Sequence, residues 1–227
     1  MNKPFFCLLA LASFLILFSC KKEKSKLTIS TIDTNVAYDN YMQLKPGNYW
    51  VYQDFMIDSV GGASHLQGGY DSDYVEKDTV INGNTYHKYC DLSFGSNTIN
   101  PIYDIYFLRD SLSYVVNSGG RIMFSSTDFT NIFRSYTYFN PISGPDTLQI
   151  TEQMGFKDEI VNVAAGSFVT STFRRVIQYP ANHHPFGLTR EYDWRYSKNV
   201  GLVTETTAIY SAVPYYYERR LVRYHVQ

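Results

Sequence analysis

An all-β domain with little helix, built as a single antiparallel sheet, a sandwich or a barrel, is predicted for residues 39–227 by three features of the chain. Aromatic residues are abundant, with 21 tyrosines and 15 phenylalanines. β-Branched residues are frequent. Turn pairs recur at short intervals: Pro46-Gly47, Gly61-Gly62, Gly68-Gly69, Asn82-Gly83, Asn117 to Gly120, Gly144-Pro145, Gly166 and Gly187. Strand-like runs bounded by such turns, about 8–12 residues apart, are the pattern of a sandwich or barrel.

The chain begins differently. Residues 1–19 carry one basic residue, Lys3, an apolar run from Pro4 to Phe18 and no acid. That run is short for a membrane-spanning helix, which needs roughly 20 apolar residues, and it suits the apolar region of an export signal. An ordinary signal ends in two small residues flanking one position, whereas here the end reads Leu17-Phe18-Ser19-Cys20. This is a lipobox, and it makes Cys20 the expected lipid-attachment residue: diacylglycerol on the thiol, cleavage before it, and Cys20 as the acylated first residue. Bulky Phe18 departs from the commonest form of the motif. Two or more acyl chains anchor stably, because each buried methylene contributes about 0.8 kcal/mol. Residues 20–38 follow as a lipidated N-terminus and polar tether, whose flexible coil spans on the order of 25 Å.

Three cysteines are present, and Cys90 alone remains once Cys7 leaves with the signal and Cys20 is acylated. No internal disulfide is expected, so the domain must be held by its core. Roughly 190 residues are enough for that, burying about 70% of the unfolded surface. Without Lys3 the chain has 19 Lys and Arg against 21 Asp and Glu. Such a balance gives no nucleic-acid footprint.

Within the domain, residues 48–58 start from the Pro46-Gly47 turn and are too aromatic for a loop. Residues 78–90 place Asn82-Gly83 between two β-rich runs, the strongest short hairpin signal, because both central residues of a type I′ turn need positive φ. Residues 103–124 read as three short strands divided at Asp110-Ser111 and at Ser118 to Gly120. Residues 126–139 could open a helix, with Ser126 or Thr127 as N-cap and Phe129, Ile132 and Phe133 on one face. The last strand, 219–226, alternates Val222, Tyr224 and Val226 with Arg219, Arg223 and His225, which predicts a half-buried strand with those charged residues outward.

Three stretches, "LKPGNYWVYQ", "VNVAAGSFVTSTFRRV" and "YSKNVGLVTETT", together with the Asn82-Gly83 hairpin and the ending "ERRLVRYHV", resemble a family of Bacteroidota-type cell-envelope lipoproteins. The resemblance covers most of residues 44–225. It rests on an early Gly-x-x-Trp-x-Tyr strand, a Gly-x-Phe strand after a valine-rich one, and a late Gly-Leu-Val turn and strand. Asn199 stands where many relatives carry glycine, and asparagine tolerates the left-handed backbone nearly as well. These residues do mechanical work: Gly47, Gly166 and Gly201 permit turns or bulges, while Trp50, Tyr52 and Phe168 supply buried area. Some relatives resemble the LolA/LppX-like half-barrel, which implies a curved sheet over an apolar concavity.

Candidate chemistry is sparse. His183-His184 lies between two prolines with neither helical spacing nor a cysteine partner for a metal. Asp71 and Asp73, or Asp158-Glu159, could offer oxygen to calcium, but the spaced acids and glycine of a calcium loop are missing, which favours surface turn acids. No Gly-x-Ser-x-Gly, His-Glu-x-x-His or Ser-x-x-Lys motif stands in a convincing setting. Cys90 ends a predicted strand, where a small buried hydrophobe is expected rather than a reactive thiolate. Tyr215-Tyr216-Tyr217 could present exposed rings to a sugar or a protein, although tyrosine also fills cross-strand surfaces.

The expectation is therefore a monomeric lipoprotein of the cell envelope, at the outer membrane, anchored through Cys20. It has a non-catalytic binding or envelope-maintenance role and needs no catalytic residue, metal, cofactor or nucleic acid. A lipid-like or other apolar ligand is one reading, and a surface module for glycan or protein is another. A hydrolase is the third. The fold separates them: an apolar concavity favours the first, an exposed aromatic strip the second, converging acids or a Ser/His pair the third. Cys20→Ser should abolish metabolic labelling with palmitate while leaving the domain folded; unchanged labelling would overturn the assignment of Cys20.

Overall fold

The computed structural model describes residues 38–58, 62, 64–93, 102–139, 147–180, 189–208 and 215–227. The export signal, Cys20, the tether, Gly144-Pro145, His183-His184 and Gly187 lie outside the described residues. Twelve strands follow in chain order: β1 (Tyr49–Asp58), β2 (Ser64–Ile81), β3 (Asn84–Ser93), β4 (Ile102–Ser111), β5 (Tyr114–Asn117), β6 (Ile122–Ser125), β7 (Ile132–Phe139), β8 (Thr147–Val163), β9 (Gly166–Gln178), β10 (Thr189–Ser197), β11 (Gly201–Ala208) and β12 (Tyr215–His225). They form one antiparallel sheet in the order β6-β5-β4-β3-β2-β1-β12-β11-β10-β9-β8-β7. Two six-strand meanders are thus joined where the first strand pairs with the last.

The sheet curls into a nearly closed barrel. Its edge strands, β6 and β7, are not paired with each other, and side chains cross the seam instead. The Ser125 amide donates to Met154 Sδ at 3.3 Å, and the Arg121 guanidinium reaches Glu152 on β8. The all-β expectation holds, and no helix occurs among the described residues.

Local sequence explains most of the boundaries. Asn82 (φ 49°) and Gly83 (φ 78°) form the two-residue turn between β2 and β3, with Ile81 opposite Asn84. The three strands expected over 103–124 are present, but the first turn falls at Leu112-Ser113, with Leu112 at φ 58°. Leucine is no turn former, which is why the sequence placed that turn two residues early.

Three expectations fail for physical reasons. Residues 126–139 are not helical, because short polar side chains take the amides a first helical turn would use. Ser125 Oγ accepts from the Thr127 and Asp128 amides, and Asp128 Oδ1 from those of Thr130 and Asn131. The chain then enters β7, as its β-branched and aromatic content favours. Gly68-Gly69 does not turn; β2 runs through it, and the pairing with β1 slips between Gln53 and Phe55 so that the glycines sit in a bulge. Finally, Arg219 points inward. Tyr224 opposite Trp50 and Leu221 opposite Tyr52 leave Val222 as the extra residue of a bulge, which inverts the alternation before it.

The main core gathers Trp50, Tyr52, Val75, Leu108, Phe124, Met154, Phe173, Tyr196, Val203 and Leu221. A smaller cluster holds Leu148, Ile150, Ile177 and Tyr192. Trp50 ties the first strand to the late Gly-Leu-Val segment: its Nε1 donates to the Val200 carbonyl at 2.6 Å, and the Tyr52 hydroxyl donates to the Leu202 carbonyl at 3.1 Å. Gly201 lies under the indole at φ 109°, where an added Cβ would stand 2.5 Å from Trp50 Nε1. Both the left-handed backbone and the close approach exclude a side chain there. Cys90 is fully buried, as expected. Gly201→Ala should lower unfolding free energy by about 3 kcal/mol, from strain plus overpacking. Gly69→Ala, with nothing within 4 Å of its Cβ site, should change it by less than about 1 kcal/mol. Urea denaturation of the two variants checks both.

Candidate functional site

Strand alternation places several acids on the inner face of the barrel. On β2, Asp71, Asp73 and Val75 face inward because their partners on β1, Tyr52 and Trp50, do. Asp73 stands opposite Asp91 of β3, and Glu205 of β11 stands opposite Arg219 of β12. Asp71 and Asp73 are only 2% and 1% exposed. They are interior residues, not the surface turn acids expected from "YDSDY", and they bind a guanidinium instead of calcium. Among the described residues no three His, Cys, Asp or Glu side chains converge on a metal position.

Arg219 is the centre of this group. Its Nη2 donates to Asp73 Oδ1 at 2.7 Å and to Asp71 Oδ1 at 3.1 Å, its Nε to Asp71 Oδ1 at 3.2 Å, and its Nη1 to Glu205 Oε2 at 3.0 Å. Asp91 Oδ1 lies 3.3 Å from Nη1 as an ion pair without a hydrogen bond. The guanidinium carbon lies over the Tyr52 ring, 4.5 Å from its centre. The Tyr89 hydroxyl completes Asp73 by donating to Oδ2 at 2.6 Å.

One cation among Asp54, Asp71, Asp73, Asp91 and Glu205 leaves an excess of negative charge, and protons relieve part of it. Burial, with Asp54 adding repulsion against the pull of Arg219, pushes the Asp71 carboxyl up to about 7. Burial and the neighbouring Asp73 push Asp91 up to about 8. Burial also raises Asp54, which shares a hydrogen bond with Asp71. For Arg219, burial opposes the charge, but Asp73, Glu205, Asp91 and Asp71 outweigh it and hold the pKa well above its usual value. The buried phenols of Tyr52, Tyr89 and Tyr196 are raised, first by burial and then by these carboxylates, and stay neutral.

Beside the cluster lies a cavity of about 170 Å³. Asp73, Asp91 and Glu205 line it together with Arg121 and Arg175. Both arginines are fixed by Glu152, which is fully buried. Arg121 Nε donates to Oε2 at 2.8 Å, Arg121 Nη2 to Oε1 at 2.5 Å, and Arg175 Nε to Oε1 at 2.9 Å. Aromatic rings complete the wall: Tyr89, Tyr106, Tyr196, Phe173 and Trp194, the last 5.3 Å from the Arg175 guanidinium carbon.

Asp158 is exposed at φ 61° in a bulged part of β8, while Glu159 faces Thr172 and Arg195. The structure does not bring them to the cavity. Tyr215, Tyr216 and Tyr217 are half-buried, and Tyr216 accepts from Arg190 Nη1 at 3.2 Å. Asp91, Glu205, Arg121, Arg175 and Glu152 carried no sequence signal of a shared site, because each comes from a different strand or turn.

No known family matches the chain, and no curated protein matches it. Two solved structures are similar in fold. One, described as a candidate lipoprotein from Parabacteroides distasonis, is 16% identical with a TM-score of 0.47, the match covering 83% of this chain and 100% of the other. The second, a candidate exported protein with a YmcC-like fold from Bacteroides fragilis, is 12% identical with a TM-score of 0.45, covering 82% and 99%. Both likenesses are weak.

The raised acids set the pH dependence of stability. Folded Asp71 and Asp91 keep protons that the unfolded chain gives up at ordinary carboxylate pKa values, so unfolding releases protons between about pH 4 and 8. Stability falls as pH rises through that window and levels off above it. The thermal midpoint at pH 5.5 should exceed that at pH 8.5, and Asp91→Asn, which cannot ionise, should reduce the difference. Calorimetry across the range tests this; a midpoint rising with pH would contradict it.

Proposed function

We propose that this chain is an acylated lipoprotein of the cell envelope whose barrel binds a small charged molecule in its interior without converting it. The supporting observation is the cavity itself, whose wall combines carboxylates, guanidinium groups and aromatic rings. The envelope address draws on the lipobox at Cys20. A lipid-like ligand draws no support from this wall, since ionised groups facing an acyl chain would lose hydration without compensation.

Converging acids are the feature that marks a hydrolase, and Asp91, pushed up to about 8, could keep a proton at neutral pH. The arrangement favours binding all the same. Both oxygens of Asp73 are taken, by Arg219 and by Tyr89, and Glu205 is held by Arg219. Carboxylates so engaged are poor nucleophiles and poor bases.

A second reading has its own observation. On the outer face, His225, Tyr49, Tyr74, Cys90 and Ile105 form one row across five strands. Tyr49, Tyr103 and Ile105 are exposed there, and Tyr74 and Tyr103 share a hydroxyl hydrogen bond of 2.6 Å. Such a surface suits glycan or protein recognition through aromatic rings.

A thermal-shift screen of the full-length chain in detergent separates these readings. A small charged compound bound in the cavity should raise the midpoint by at least about 5 °C at a hundredfold excess over Kd, and Asp91→Asn should weaken the shift. Shifts produced only by oligosaccharides, and lost in Tyr103→Ala, would transfer the function to the outer face. Turnover of chromogenic glycosides or esters that Asp91→Asn abolishes would make the protein a hydrolase.

A further inference from the structure

The cavity carries two opposed demands. Its acidic wall combines Asp73, Asp91 and Glu205 with Arg219, Asp54 and Asp71 immediately behind, five carboxylates around one guanidinium. Protons on Asp71 and Asp91 reduce the excess but do not remove it. Its basic wall is the triad of Arg121, Arg175 and Glu152, two guanidinium groups sharing one carboxylate. Arg121 Nη1 has no hydrogen-bond partner among the described residues, since Glu152 takes only Nε and Nη2.

A simple amine would satisfy the acids and meet Arg121 and Arg175 with like charge. A simple carboxylate would satisfy the arginines and meet the acids. Resting on the reading of the cavity as a binding site, we infer that its ligand is a small zwitterion of the α-amino-acid class. The carboxylate lies against Arg121 and Arg175, and the ammonium lies against Glu205 and Asp91, whose Oδ1 has no hydrogen-bond partner among the described residues.

Size and surroundings agree. About 170 Å³ is room for several waters, enough to admit a small amino acid. Guanidinium groups bind carboxylates with directional, charge-assisted hydrogen bonds. Aromatic faces such as Tyr106 and Tyr196, both on the wall, favour an ammonium beside them. Leu108, Leu202 and Met123 leave an apolar part for a short side chain.

A way in exists at the seam. Arg121 also lines a shallower groove of about 500 Å³, formed with Asn117, Gly119, Gly120, Ile122, Phe133 and Arg134. Its side chain therefore stands between groove and cavity, at the place where the sheet is closed by side chains and not by backbone pairing. Swinging Arg121 off Glu152 would connect the two without breaking a strand ladder.

Isothermal titration of the full-length chain in detergent tests the inference with glycine, L-alanine, L-serine and L-leucine. Ethylamine and propionate serve as single-charge controls, and N-acetyl-L-alanine as the blocked ammonium. At least one of the small amino acids should bind, and each control should bind at least tenfold more weakly. Arg121→Gln should weaken the amino acid at least tenfold while its thermal midpoint without ligand shows it folded. Should Arg121→Gln fail to fold, Arg175→Lys and quenching of Trp194 fluorescence supply the same comparison. Ethylamine or propionate binding as tightly as the amino acid would overturn the zwitterion and leave the cavity a binding site for a singly charged ligand. No binding by any of these compounds, with another small charged molecule active in the thermal screen, would overturn it in the same way. No binding by any charged molecule would remove both readings.

Discussion

The guanidinium of Arg219 is held inside the barrel by carboxylates from three other strands, β2, β3 and β11, and the geometry of the centre follows from it. A charge this deep is tolerated only when nearly every donor has a partner, because removing one side of a buried pair costs about 3–5 kcal/mol. The pairing therefore fixes register. A one-residue slip of β2 would turn Asp71 and Asp73 outward and set Tyr70, Ser72 and Tyr74 against the guanidinium. Hydrophobic burial alone would resist that slip weakly, since Tyr70 and Tyr74 stand on the outward face of β2 and Asp71 and Asp73 on the inward one.

Two fastenings of different kinds then share the work around β1 and β12. On one level, Trp50 and Tyr52 donate across to the carbonyls of Val200 and Leu202, and Gly201 yields space to the indole. One level along, Arg219 gathers the acids. Both lie where the two meanders meet, joining the first strand of the chain to its last two. With Cys90 the one cysteine among the described residues, and reduced, these contacts do the task that a disulfide performs in many exported domains.

Much of the fold was readable from composition and turn chemistry. The hairpin at Asn82-Gly83, the strand over 48–58 and the three short strands over 103–124 all rest on local rules; the contact of Trp50 with Gly201, 151 positions apart, was not readable. The candidate site was not readable, for a definite reason. Alternation assigns a face only while pairing stays regular, and two bulges intervene: one at Val222, which turns Arg219 inward, and one at Gly68-Gly69, which carries β2 past an expected turn. Asp71 and Asp73 looked like turn acids because they follow Gly68-Gly69, which reads as a turn. Asp91, Glu205 and Arg175 lie far apart in sequence and meet only because the sheet closes. A legible trace did remain, in that Asp71, Asp73 and Val75 share a face in period two.

The same closure explains why the cavity lies where it does. Every junction from β6 round through β1 and β12 to β7 is a backbone ladder, and the seam between β6 and β7 is closed otherwise, the Ser125 amide of four-residue β6 meeting Met154 Sδ of β8. Backbone ladders open cooperatively and at high cost, whereas a seam held by an arginine, a carboxylate and a thioether can part locally. Arg121 belongs to that seam and to the cavity wall at once. A cavity placed deep against the β1–β12 junction would have rigid walls but no route for a ligand. One shared between the Arg219 cluster and the seam has walls set by laddered strands, with Arg121 alone of its charged residues standing at the seam. On the proposed reading, a ligand would take its shape from the laddered part of the barrel and exchange with solvent through the seam.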